Sequence, residues 1–97
     1  MDNVTLKPGK YSLRDELGRG DSGPRLHPVN DTGVMEGGHG QIVVGLGVKC
    51  GSINGRSYAN QDWWQTSPVA EILEIADDKS MVKFKTESGS VYTAKTL

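Results

Sequence analysis

Residues 63–97 read WWQTSPVAEILEIADDKSMVKFKTESGSVYTAKTL, and the parsing of this stretch decides the fold. Its end is the clearest part. Met81 to Thr86 alternates, with Val82 and Phe84 on one face and Lys83 and Lys85 on the other, the period of a half-buried strand. Asp77-Asp78-Lys79-Ser80 before it and Glu87-Ser88-Gly89-Ser90 after it are turn-forming runs, and Val91 to Thr96 returns as a second strand. Pro68 to Ala76 admits two parsings. As a helix, Ser67 caps it, Pro68 takes the first position, and Val69, Ile72, Leu73 and Ala76 fall at i, i+3, i+4 and i+7. As a strand, Val69, Leu73 and Ile75 share a face that must also hold Glu71, which demands an edge position or a bulge. The strand is preferred because the segments that follow need a partner, and the three together make an antiparallel meander.

Working upstream, residues 41–50 (QIVVGLGVKC) form the longest alternating run, with Ile42, Val44, Leu46, Val48 and Cys50 on one face. Gly45 and Gly47 leave the other face bare, which suggests a bend, a barrel corner or a closely packed neighbour. Asn54-Gly55 is a hairpin-turn signal between Val48–Ile53 and Arg56–Ala59. Near the start, Val4 and Leu6, then Tyr11 and Leu13, read as two short strands around a Pro8-Gly9 turn. Between Asp15 and Gly40 the periodicity fails: glycines, prolines and both histidines replace large apolar residues, and the segment reads as a long Gly-rich loop, ordered or disordered.

Composition narrows the function classes. The chain has 97 residues, which points to one β-rich domain spanning 1–97 with a small core. A net charge of −1, from mixed acidic and basic residues, lacks the clustered basic footprint of nucleic-acid binding. The single Cys50 excludes an intrachain disulfide and a Cys-based zinc site. No apolar run reaches membrane-spanning length and the N-terminal residues have no apolar leader, so the expected setting is cytoplasmic.

The motifs that suggest chemistry have ordinary explanations. Arg19-Gly20-Asp21 matches the cell-adhesion tripeptide, but three residues recur by chance and a solvated loop accounts for them. Gly20-Asp21-Ser22-Gly23-Pro24 looks like the nucleophile segment of chymotrypsin-like proteases, short by one glycine. Those enzymes need two barrels to assemble their triad, and His27 or His39 beside Ser22 would still lack an orienting third group. The same histidines with Asp31, Glu36 or Cys50 match no metal-ligand framework, and Gly37-Gly38-His39-Gly40 opens no phosphate-binding helix. The expectation is therefore no catalytic centre, no cofactor and no metal. Arg56, Tyr58, Trp63 and Trp64 carry more weight. Adjacent tryptophans in a strand point to opposite faces, so one can serve the core while the other stands beside Arg and Tyr, residue types enriched at binding hot spots. His39, on the Gly-rich loop, completes the expected contact set.

The stretch Trp64-x-Thr66-Ser67-Pro68-Val69, through Ile72, then Val82-x-Phe84-x-Thr86 and Ser88-x-Ser90-x-Tyr92, resembles a pattern in small uncharacterised bacterial and phage-encoded β-domain proteins. The resemblance spans the C-terminal third and carries no catalytic residue. It implies a strand, a turn and a closing hairpin, and a mobile-element origin.

The resulting expectation is a mainly-β fold, a small twisted antiparallel sheet or an SH3-like partly open barrel. The alternative is α+β with one short helix near 68–76. The core is expected to draw on Leu13, Ile42, Val44, Leu46, Val48, Ile72, Leu73, Val82, Phe84 and Tyr92. In function, the chain reads as a non-enzymatic protein-binding module, an adaptor or inhibitor of a host protein. The alternatives are a self-associating assembly protein and, last, a small hydrolase.

Overall fold

The computed structural model describes residues 3–51 and 63–97. These form ten strands and no helix: β1 (Asn3–Thr5), β2 (Tyr11–Asp15), β3 (Gly20–Gly23), β4 (Arg25–Val29), β5 (Gln41–Val43), β6 (Gly47–Gly51), β7 (Trp63–Gln65), β8 (Val69–Ile75), β9 (Met81–Thr86) and β10 (Val91–Thr96). They pair into a two-stranded sheet β1-β5, a five-stranded sheet β3-β2-β10-β9-β8 and a three-stranded sheet β4-β6-β7. Every ladder is antiparallel. The fold is mainly β, and the sheets do not close into a barrel.

The alternation at 81–96 becomes the β9–β10 ladder, where Phe84 faces Tyr92 and Val82 faces Ala94 on the buried side. β10 then pairs with β2, setting Ala94 against Leu13. These residues join Val4, Leu6, Tyr11, Leu26, Ile42, Val48, Cys50 and Val69 in one apolar cluster, with Val44, Trp64, Ile72 and Ile75 packed on its margin. Burial of this kind, about 25 cal/mol per Å² of apolar surface, is the main force holding so small a domain together.

Residues 69–75 are a strand, not a helix. Its register against β9 shifts twice, between Val69 and Glu71 and between Ile72 and Glu74. The extra residues, Ala70 and Leu73, point away from the core, and each shift lets Glu71 and Glu74 face Lys85 and Lys83 on the outer side. The bulges thus resolve the conflict between Glu71 and its apolar neighbours. Two residues of the expected core fall outside it: Leu46, at the Gly45 corner, is half-buried and apart from the cluster, and Leu73 is 45% exposed because it is the extra residue of a bulge.

The segment Asp15 to Gly40, expected as one long loop, carries β3 and β4. Two five-residue turns organise it. At Asp15–Arg19, the Asp15 N–H donates to Arg19 O and Gly18 N–H to Asp15 O; at Asn30–Val34, Asn30 N–H donates to Val34 O and Gly33 N–H to Asn30 O. The same pair of bonds closes Thr86–Ser90 around Gly89. Gly18, Gly33 and Gly89 hold φ of 81°, 82° and 92°, the left-handed position after a type I turn that glycine fills without strain.

The alternating run at 41–50 is broken at Gly45, whose φ is 97°. Before it β5 pairs with β1; after it β6 pairs with β4 and β7. At the corner itself, Gly45 N–H donates to Val69 O and Val69 N–H to Leu46 O, so Val44–Leu46 also touches the five-stranded sheet. The bend anticipated from the two glycines is a junction of all three sheets. The expected hairpin through Asn54-Gly55 lies outside the described residues.

Candidate functional site

Among the described strands β7 stands last in the three-stranded sheet, and its two tryptophans point opposite ways. Trp64 turns inward, opposite Cys50, and its indole N–H donates to the Tyr92 hydroxyl at 3.2 Å. Tyr92 in turn stacks on Phe84 with centroids 5.7 Å apart, which ties β7 to the main core. Trp63 turns outward and is 37% exposed. Its cross-strand neighbour is Gly51, which offers no side chain, and the Lys49 ammonium lies 4.2 Å from the centre of a Trp63 ring. A cation at that distance is held by the ring's negative face.

Pairing across β4, β6 and β7 aligns Arg25 with Gly51 and Trp63, and His27 with Lys49 and Gln65. One face of this sheet therefore carries Arg25, Lys49, Trp63 and Gln65. At the β4 end it is covered: the His39 ring stacks over His27 at 5.0 Å and meets Tyr11 edge-on at 5.1 Å. His39 Nε2 lies 2.9 Å from Pro24 O, so this histidine is engaged internally although its surface is exposed. His27 is buried, and neither of its ring nitrogens has a hydrogen-bond partner among the described residues. Burial, then the neighbouring His39 and Arg25, push its pKa below the ordinary 6.5.

Of the expected contact residues, Trp63 stands at the surface, Trp64 faces inward, and His39 belongs to the His27–Tyr11 stack. Arg56 and Tyr58 lie outside the described residues. Lys49 and Arg25 were missing from the expected set. Lys49 occupies the polar side of the 41–50 alternation, but its meeting with Trp63 depends on the β6–β7 pairing, which no local pattern announces.

The catalytic motifs are dispersed by the fold. Ser22 Oγ receives a hydrogen bond from Arg14 at 3.0 Å, and neither histidine bonds to it. In the Arg-Gly-Asp tripeptide, Arg19 is paired to Asp15 at 2.8 Å, and Asp21 receives the N–H of Ser22. Burial, with the Asp21 carboxylate adding to it, pushes the Cys50 thiol up to about 12, which removes it as a nucleophile near neutrality. Among the described residues no group of three or more His, Cys, Asp or Glu is placed to hold a metal ion, and no helix is long and apolar enough to cross a membrane. Comparison with protein-family models, curated proteins and solved structures returned no match for this chain.

Proposed function

We propose that this chain is a non-enzymatic protein-binding module whose partner docks on the outer face of the three-stranded sheet, with Trp63 as the anchor. The observation that carries this reading is the division of labour within β7. Trp64 is committed to the core through Tyr92, while Trp63 lies at the surface with Lys49 against it. An exposed tryptophan in contact with a cation is already ordered before a partner arrives, which lowers the entropy lost on docking. Trp and Arg are also the side chains that dominate interface energetics, and Arg25 lies in the same cross-strand row. The bacterial and phage resemblance of the C-terminal third gives the role its colour, an adaptor or inhibitor acting on a host protein.

The test is capture of a partner from host lysate with wild-type, Trp63→Ala and Trp64→Phe proteins, each checked for fold by circular dichroism. Trp63→Ala is expected to abolish capture while Trp64→Phe retains it. Equal capture by wild type and Trp63→Ala would remove this face from consideration.

A second reading, self-association, draws on β8, a seven-residue edge strand with Leu73 exposed. Its two bulges work against it, since irregular edges resist pairing with another strand. Light scattering that shows mass rising with concentration would favour this second reading.

A further inference from the structure

The outer face of the five-stranded sheet carries its charged side chains unevenly. On the β8–β9 side each cation stands opposite a carboxylate: Lys85 faces Glu71 and Lys83 faces Glu74. On the β2–β10 side this compensation is missing. There Ser12 faces Lys95 and Arg14 faces Thr93, a square of two cations and two hydroxyls on adjacent strands. Directly opposed side chains in an antiparallel pair have Cβ atoms about 4.5–5.5 Å apart, so all four groups reach a common point above the sheet.

A hollow of about 270 Å³ lies there, lined by Ser12, Arg14, Asp15, Thr93 and Lys95. Asp15 is the one acidic member, and its charge is already met. One carboxylate oxygen accepts Arg19 Nε at 2.8 Å and the other accepts the N–H groups of Leu17 and Arg19. Arg14 uses one donor on Ser22 Oγ and keeps the rest of its fork. Among the described residues Lys95 has no acidic partner within salt-bridge distance, and the Ser12 and Thr93 hydroxyls have no hydrogen-bond partner.

We propose that this hollow is a seat for a doubly charged oxyanion, with phosphate monoesters as the ligand class. Two cations answer the charge of about −1.5 to −2 that a phosphate monoester carries at neutral pH, and its three acceptor oxygens match an arginine fork, an ammonium and two hydroxyl donors. A carboxylate would satisfy the arginine alone and leave the lysine unanswered. The site lies on a different sheet from Trp63 and stands independently of the partner surface proposed above.

The experiment is an amide-resolved NMR titration with inorganic phosphate at pH 7.5, against sodium chloride at matched ionic strength. Two further arms use a phosphoserine peptide and its unphosphorylated twin. Saturable shifts centred on Ser12, Arg14, Thr93 and Lys95 are expected with phosphate and not with chloride. Arg14→Gln and Lys95→Gln should each weaken binding about tenfold, the value of one charge-assisted hydrogen bond. Thr93→Val should weaken it less, and Lys85→Gln, on the compensated side, should leave it unchanged. Tighter binding of the phosphopeptide than of free phosphate identifies a modified protein side chain as the source, and equal binding a small phosphate ester. Shifts that never saturate, that chloride reproduces, or that survive both charge substitutions in a folded protein overturn the proposal.

Discussion

In the five-stranded sheet the inner face is built from side chains: Leu13, Val82, Phe84, Tyr92 and Ala94 are all buried, and strand pairing follows their alternation. The seam where the three-stranded sheet meets β3, the last strand of the five-stranded one, gains its fit by leaving side chains out. A Cβ added to Gly23 would come within 2.4 Å of the Gly51 backbone, and one on Gly47 within 2.7 Å of Thr66 O. There β3 and the β6–β7 region are held at a separation that only hydrogen atoms can occupy. The sheet interior is fixed by volume filled, the seam by closeness of backbone. Core substitutions should therefore act in opposite senses, with loss of volume harmful in the interior and gain of volume harmful at the seam.

Phe84→Ala tests the interior most severely. It removes a fully buried ring stacked on Tyr92, a loss of about 3–5 kcal/mol. Domains of this size are stable by only about 5–15 kcal/mol, so urea denaturation should show a protein close to its threshold at 25 °C. Gly23→Ala is the mirror experiment. Because the obstruction is backbone rather than a movable side chain, it should destabilise by roughly 1–3 kcal/mol on the same urea curves. A neutral Gly23→Ala would show that the two sheets can slide apart without penalty, and the contrast between interior and seam would fail.

A smaller effect, centred on β4 of the three-stranded sheet near neutrality, concerns pH. The pKa of His27 is lowered in the folded state, so the unfolded chain binds more protons as pH falls through about 6.5, and stability declines from there toward the folded-state value. The carboxyls of Asp15 and Asp78 are also lowered, but from 3.8. For Asp15 a desolvation push upward is outweighed by the hydrogen bonds from Arg19 and Leu17; for Asp78 the hydrogen bonds of Ser80 lead. Their contributions disappear only in stronger acid. Thermal melts between pH 7.5 and 5.5 should fall for the wild type and flatten for His27→Phe, while both proteins lose stability below about pH 4. The smallest change is a gain. Lys79 holds a φ of 63° in the β8–β9 turn, so Lys79→Gly should add about 0.5–1 kcal/mol by relieving left-handed strain, read as a raised melting temperature.

The same contrast explains what the sequence discloses. Alternation is local, so β9 and β10 and most of their inward residues are legible in 81–96, and Glu71 among apolar neighbours signals that β8 takes an edge position or a bulge. Glycine contacts are not local. Nothing near Gly23 says that Gly51 will lie against it. The Asp15–Gly40 stretch was nonetheless more legible than its composition suggests. DELGR at 15–19 and NDTGV at 30–34 share with TESGS at 86–90 a polar first residue, an acidic second and a glycine fourth. The first side chain of each caps its own turn: Asp15 and Asn30 accept N–H groups two and four residues ahead, and Thr86 Oγ1 meets Ser88 Oγ. Recognising one of these as a turn, as at 86–90, licenses the other two and places strands around them. At the candidate site, the opposed tryptophans are legible from strand geometry, whereas the Lys49 contact and the Ser12–Arg14–Thr93–Lys95 square require the register between strands.

The corner at Val44–Leu46 bears on how the molecule comes apart. β5 leads into it from one sheet, β6 leaves it in another, and Val69 of a third accepts from the Gly45 N–H and donates to Leu46 O. Freeing the start of β8 releases the corner, and releasing the corner loosens β5 and β6 together. A three-residue knot of this kind leaves no sheet able to open as a separate unit. The slowest-exchanging amides of all three sheets should therefore share one opening free energy, the signature of a single cooperative structure assembled from small parts.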